Sequence, residues 1–290
     1  MAYVVKTGTA GANGSNGVSP DGDGSRGLNG GPAYATAEST TENSTGLAYG
    51  GSGGTGGDGA ETAGNAGPGG LGGLGGAVAR TSASTPGGAT IATAEGYGGD
   101  GGSAGLPASG GAGADGGAGG RGRANSVATN DDGDATAFSF ALGGNGGTGN
   151  DGAGGAGGDT GIKNALSSAE AHAGTGSTAE ATVEQTGGDG GLGKGTGSGG
   201  NGGVAAVTNG VTGSTDFGTL RLSQTATGGN GGDAWDISTG GDGGSAKSSL
   251  AFDDTASTTG SSSVAIRRSP KAARVVTAFS GAAPAAQPLR

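Results

Sequence analysis

The sequence predicts an all-β, irregular repeat with essentially no α-helix. Stacked β-hairpins or a β-solenoid are expected on one side, and packed glycine-rich polyproline-II helices on the other. Three observations predict it. Glycine falls at every third position in long stretches, such as Gly8 to Gly17, Gly64 to Gly76, Gly110 to Gly122 and Gly143 to Gly161. Those stretches return at a nearly constant interval. Between them lie short segments in which small and polar residues alternate.

The period of three belongs to the polyproline-II helix, which has three residues per turn and sets every third residue on one edge. Glycine on that edge lets a neighbouring backbone come to contact. Doubled glycines, as in Gly50-Gly51-Ser52-Gly53-Gly54-Thr55-Gly56-Gly57, clear two edges of three and leave one side chain outward. Gly and Pro together make 87 of the 290 residues (79 and 8), a share that without periodicity signals disorder. A fixed period changes the expectation to an ordered repeat.

Doubled-glycine pairs begin at Gly50 and Gly69, Gly98 and Gly116, Gly143 and Gly154, Gly187 and Gly199, and Gly228 and Gly240. The first member moves by 48, 45, 44 and 41 residues, and the N-terminal pair fits one step of 42 earlier. The expected organisation is one elongated repeat domain over 1–267. Its units are 8–49, 50–97, 98–142, 143–186, 187–227 and 228–267, followed by a tail, 268–290, that can act as an inter-subunit strand.

The inserts between glycine pairs read as strand, turn, strand. Ala77-Val-Ala-Arg-Thr-Ser-Ala-Ser-Thr leads through Pro86-Gly87-Gly88 into Ala89-Thr-Ile-Ala-Thr-Ala-Glu. Asn130-Asp131-Asp132-Gly133-Asp134 and Gly174-Thr175-Gly176-Ser177 are further turns, all with hairpin-type residues. In the strand that follows the acidic turn, Ala135, Ala137, Ser139 and Ala141 share one face and Thr136, Phe138, Phe140 and Leu142 the other. Gly, Thr, Ser and Asn dominate and no 3.6-residue stripe appears, so helix is not expected.

Composition narrows the function. Aromatics are 3% of the chain and Trp235 is the only tryptophan, too few for an ordinary apolar core. Backbone hydrogen bonds, each worth about 1 kcal/mol net, have to replace it. A net charge of −10 and a pI near 4.4 argue against nucleic acid and anionic membranes. The chain has no cysteine, and no apolar run approaches the ~20 residues of a membrane span. Met1-Ala-Tyr-Val-Val-Lys-Thr-Gly lacks the regions of a classical signal peptide. The expected location is nonetheless extracellular or at a cell or virion surface.

Chemistry-bearing motifs are sparse. Gly51-Ser52-Gly53 and Gly102-Ser103-Ala104-Gly105 touch the loose G-x-S-x-G pattern without the strand, helix and histidine a nucleophile needs. Gly188 to Lys194 resembles a phosphate loop but continues with Gly195 rather than Ser or Thr. The single histidine, His172, lies on the polar face of a strand beside Glu170. Gly228-Gly-Asn-Gly-Gly-Asp233-Ala-Trp235-Asp236 fits a calcium-binding nonapeptide, and Asp58 and Asp151 sit in two looser copies. Calcium rolls repeat that pattern in tandem, whereas these copies are isolated. Weak calcium binding at Asp233 and Asp236 is therefore the one metal reading, with no catalytic residues and no cofactor expected. The acidic pairs of Asp131-Asp132-Gly133-Asp134 and Asp253-Asp254 read as solvated loop tips.

Blocks such as Gly143-Gly-Asn-Gly-Gly-Thr-Gly and Gly187-Gly-Asp-Gly-Gly-Leu-Gly resemble the polyglycine-II sandwiches of bacteriophage tail-fibre-tip adhesins. They also resemble the glycine-rich domains of mycobacterial surface proteins. The likeness spans roughly residues 8–244 and implies packed glycine helices, surface exposure and binding through loops at the helix ends. The chain departs from both by its hairpin-like insert after every glycine pair, and from the mycobacterial proteins by lacking their helical N-terminal domain.

The leading expectation is a non-enzymatic structural subunit that self-assembles, its partner being itself through terminal strands. Ala2-Tyr-Val-Val-Lys-Thr and Ala272-Ala-Arg-Val-Val-Thr-Ala-Phe are the candidate strands. The alternatives are an adhesin for a cell-surface receptor or polysaccharide and, third, an ice-binding protein with flat Thr/Ala faces.

Overall fold

The computed structural model describes all residues except 42, 85, 162–166, 236–237, 252–262 and 272–290, with 263–271 described in backbone only. The described residues form strands and extended segments without helix. In chain order the strands are β1 (Ala2–Thr7), β2 (Ala33–Ser39), β3 (Ser44–Tyr49), β4 (Gly75–Ala83), β5 (Ala89–Tyr97), β6 (Gly122–Asn130), β7 (Asp134–Leu142) and β8 (Gly149–Asn150). They continue as β9 (Ser168–Ala173), β10 (Thr178–Thr186), β11 (Gly193–Lys194), β12 (Ala205–Thr208), β13 (Val211–Ser214), β14 (Thr219–Thr227), β15 (Ala246–Ser249) and β16 (Ser263–Lys271).

The larger sheet has the order β1-β3-β5-β7-β10-β14-β16 and the smaller one β13-β9-β6-β4-β2, while β12-β15 and β8-β11 pair separately. Every pairing between these strands is parallel. The expected hairpins are therefore corrected. The two strands of each insert, such as β4 and β5 or β6 and β7, never pair with one another but enter different sheets. A hairpin would set both small-residue faces on one side with nothing to cover them. Sending the arms to opposing sheets turns those faces toward each other, and each strand pairs instead with its counterpart one unit away. Along the larger sheet Ala2 faces Ser44, then Ala92, Ala137, Ala181, Leu222 and Ile266, in steps of 42, 48, 45, 44, 41 and 44 residues.

The space between the sheets is filled mostly by alanine. Ala35, Ala77, Ala79, Ala92, Ala94 and Ala137 are almost fully buried. The sheets come close enough that a Cβ on Gly46 would stand 2.6 Å from the Val78 carbonyl oxygen. Hydroxyls bridge the same interface: Ser44 Oγ shares a hydrogen bond of 2.6 Å with Thr81 Oγ1, and Ser126 Oγ one of 2.9 Å with Ser139 Oγ. Toward the C-terminal units the filling grows to Val183, Val207, Val211, Leu220 and Leu222.

At the turns glycine serves conformation instead of space. Gly87 and Gly176 have φ of 64° and 73° with nothing within 4 Å of a built Cβ, so the left-handed backbone alone favours glycine there.

From β1, β3 and β5 the chain runs out through a glycine-rich leg and back through a second to the smaller sheet, and after β10 the return leg reaches β12 instead. The outward legs bond to one another at every third residue: Gly8, Gly11, Gly14 and Gly17 donate to the carbonyls of Tyr49, Ser52, Thr55 and Asp58. Gly50, Gly53, Gly56 and Gly59 donate in turn to Tyr97, Asp100, Ser103 and Leu106. Return legs repeat the pattern, with Gly24, Gly27 and Gly30 donating to Asn65, Pro68 and Leu71. Return and outward legs also bond across in opposite directions, as when Gly51, Gly54 and Gly57 donate to Gly31, Leu28 and Ser25. Cβ atoms built on Gly53 and Gly54 would overlap the carbonyls of Gly70 and Ala12, so both inner edges of the doublet are closed to side chains.

Candidate functional surfaces

At several positions between the glycines of the legs, the amide of the residue that follows a glycine bonds to a side chain of the neighbouring unit. Asparagine and aspartate supply the acceptor. The Asp100 Oδ1 accepts from the Asn145 amide at 2.7 Å, Asn145 Oδ1 from Asp189 at 2.9 Å, and Asp189 Oδ1 from Asn230 at 2.7 Å. A second ladder runs from Asn16 to Asp58 to the Leu106 amide, and a third on the return legs from Asp23 to Asn65 to Ala112. Either Asn or Asp satisfies the geometry, because only Oδ1 is used. In the first ladder they alternate, which separates the carboxylates by one unit. These ladders escaped the sequence reading because their rungs lie 41 to 48 residues apart. The signal was present: Asn or Asp follows a glycine doublet at the same point of four successive units, at Asp100, Asn145, Asp189 and Asn230.

The outer face of the larger sheet forms the second surface. Register places Thr7, Tyr49, Tyr97, Leu142, Thr186 and Thr227 in one row. The next row holds Val5, Leu47, Glu95, Phe140 and Glu184, and a third Tyr3, Thr45, Thr93, Phe138 and Thr182. The Tyr49 and Tyr97 rings stack at 4.8 Å with 10° between planes, and Tyr97 meets Phe140 at 5.6 Å. The Tyr97 hydroxyl donates to Glu95 Oε2 at 2.6 Å. Partial burial, then that bond and the charge of Glu95, and lastly the neighbouring Tyr49 push the Tyr97 phenol well above the usual tyrosine range. Five of the chain's ten aromatic residues lie on this face, and no aromatic is among the described buried residues. Sequence alone had placed Phe138 and Phe140 together; only the parallel register added the tyrosines.

Among the expected site residues, Asp233 lies exposed near the end of an outward leg, where its carbonyl accepts from the Gly193 amide at 3.0 Å. Asp236 and the pair Asp253-Asp254 lie outside the described residues. Asp58 is a rung of a ladder, and Asp151 takes a φ of 50° at a turn. Among the described residues no three His, Cys, Asp or Glu side chains converge as a metal would need. Lys194 stands 5.3 Å over the ring of Trp235, which is 53% exposed. His172 bonds to Glu170 Oε1 and Ser214 Oγ, both at 2.7 Å, so it is tied into the smaller sheet's outer face. The exposed acidic turn is also bonded, with Asp134 Oδ1 accepting from the Thr178 amide and Asp132 from the Ser84 hydroxyl.

Shallow grooves mark the smaller sheet, one of about 410 Å³ along Glu38, Arg80 and Val127. A second, of about 280 Å³, lies over Gly76 between Tyr34 and Arg123. A third, of about 290 Å³, reaches Gln185, whose buried side-chain amide has no hydrogen-bond partner among the described residues. No helix of the described residues is long and apolar enough to cross a membrane.

No protein-family model matches the chain, and no curated protein matches it in sequence. Among solved structures it has a distant likeness to a springtail antifreeze protein from Granisotoma rainieri, described as a bundle of nine polyproline type II helices. The identity is 17%, over 91% of this chain and 96% of that one, and the TM-score of 0.12 is too low to carry a fold or a function.

Proposed function

We propose that the chain is a non-enzymatic structural repeat protein that adds to copies of itself, building an extracellular fibre or matrix. The observation that carries this reading is the sameness of the bonds between units. Each outward leg donates every third amide to the next leg, and each strand pairs in parallel with its counterpart. Such an array has no internal stop, because the groups one unit offers are those the next unit uses.

On this reading the legs are polyglycine-II helices in two antiparallel layers, continued by a two-sheet solenoid. The three-residue spacing of donors and the overlap awaiting any Cβ support it. The two strand edges at the ends of the larger sheet, β1 and β16, are where copies join by strand addition. The β16 strand runs to Lys271, past the expected unit boundary at 267, while the candidate strand from Ala272 lies outside the described residues.

The test is negative-stain electron microscopy at micromolar concentration, with and without calcium. Regular fibres longer than one chain are expected, and dispersed particles would count against the reading. Removing residues 272–290 leaves β16 whole, so fibres should persist with unchanged circular dichroism if β16 is the joining edge, and their loss would move the joint to the removed segment. A calcium requirement would assign a role to Asp233.

A receptor-binding adhesin is the second reading. Its support is exposed apolar side chains at the turns of the glycine legs: Val18 at 80% exposure, Leu106 at 60%, and Trp235. Binding of dispersed particles to whole cells, lost in Trp235→Ser, would favour it.

A further inference from the structure

We propose that the aromatic outer face of the larger sheet is a side-by-side contact between two copies of this chain, distinct from any end-to-end joint. The placement of large side chains points there. The core between the sheets is built mostly from alanine, yet Tyr3, Tyr49, Tyr97, Phe138 and Phe140 are gathered on the outer face, Tyr3 and Tyr49 exposed and the other three half-buried. Tyr49 and Ile91 remain 38% and 37% exposed. Among the described residues no aromatic lies in the interior, and none of them covers the exterior face on which the aromatics align in register.

Ring geometry selects the occupant. A sugar stacks on an open ring face, but Tyr49 and Tyr97 each give one face to the other at 4.8 Å and 10°, and Tyr97 also meets Phe140 at 5.6 Å. They stand as a ridge beside the row of Val5, Leu47, Glu95 and Phe140, a relief that another copy of the same ridged sheet fits. Size agrees. The strands β1, β3, β5, β7 and β10, at about 4.8 Å spacing and about eight residues of about 3.3 Å, give a face of about 600 Å². Two copies would bury about 1,200 Å², the lower bound for a specific interface. Glu180 and Glu184 lie beyond the aromatic strands, on β10, and fall at the rim of such a pair. Each copy carries a net charge of −10, so association should tighten as salt rises.

The experiment is sedimentation of the full chain from about 1 to about 100 µM, at about 20 and about 200 mM salt. The variant Tyr97→Thr/Phe138→Thr/Phe140→Thr is compared, because threonine already occupies these rows at Thr93, Thr182 and Thr186. A paired wild-type species that strengthens with salt is expected, with dissociation at least about ten-fold easier in the variant. If the triple variant does not fold, Phe138→Thr alone, flanked by Thr93 and Thr182, should still weaken pairing about three-fold. A wild type that stays single at the highest concentration, or pairing unchanged in folded variants, overturns the proposal. Electron microscopy separates the two joints: loss of this face narrows fibres without shortening them, whereas failure of end-to-end joining shortens them and leaves the pair intact.

Discussion

Each unit holds itself together in two ways, and the two halves of the molecule can be compared residue for residue. In the strand half, alanines such as Ala92 and Ala137 interlock between two sheets, and the filling enlarges to Leu220 and Leu222 toward the C-terminal units. In the glycine half glycine fills most positions between the described legs, with a few buried alanines such as Ala60, Ala66 and Ala104. Gly54 donates to Leu28 and would overlap Ala12 if it carried a Cβ. The strand half therefore draws on burial of small apolar groups, about 25 cal/mol per Å². The glycine half draws on many backbone hydrogen bonds at about 1 kcal/mol each, set against glycine's large conformational entropy. One half accepts side chains from alanine to leucine in its filling; the other has backbone within overlap distance of its inner edges and cannot.

The sharpest way to break this comparison is to add a methyl group to each half. Gly54→Ala should cost more than about 4 kcal/mol and leave little folded chain, because the neighbours it meets are carbonyls fixed in two directions. Ala137→Val adds twice the carbon but should cost only about 1–3 kcal/mol. Urea midpoints decide the point: equal losses would mean that both halves are equally rigid. Leu222→Ala, at the wide end of the strand half, should cost about 2–5 kcal/mol by leaving a cavity. A loss below about 1 kcal/mol would show that the sheets close over the gap.

The side-chain ladders offer a finer probe of the glycine half. Asn145→Asp keeps the Oδ1 acceptor but sets three carboxylates in succession from Asp100 to Asp189. Destabilisation of about 0.5 kcal/mol at low salt, erased near about 1 M salt, is expected. Thermal melts at both ionic strengths test it, and a loss insensitive to salt would point to the hydrogen bond instead of charge.

The smallest effect concerns the strand half's surface. Tyr97 ionises above the ordinary tyrosine range, so the fold favours its neutral form. Its contribution is fully present below the unfolded tyrosine value of about 10 and is lost as pH climbs toward the raised folded value. Tyr97→Phe should flatten the fall in melting temperature above pH about 10 and remove the last-titrating phenol from the tyrosinate absorbance. An unchanged titration curve would mean that another tyrosine is the shifted one.

Much of this was legible in the chain. The glycine spacing and the unit steps are local or periodic features, and a reader needs only to count. The strands were legible too, since alternation in Ala135 to Leu142 sorts inward from outward residues without knowing the partner. What failed was pairing. The turns at Pro86-Gly87-Gly88 and Gly174 to Ser177 carry the residues of hairpins, yet they join two sheets. Turn chemistry records only that the chain reverses. Whether the arms bond edge to edge or face each other depends on where each finds a better partner, and here the counterpart one unit away is the better one.

The sequence by itself determined the repeat length, the reversal points, the small-residue faces and the closed edges of the glycine legs, because all are set by residue size and backbone preference along one strand of chain. Only the tertiary structure decided the parallel register. It brings Asp100 to Asn145 and Tyr49 to Tyr97, residues 45 and 48 positions apart, into contact. Side chains meet across units through hydrogen bonds between backbones, and those bonds carry no trace of sequence.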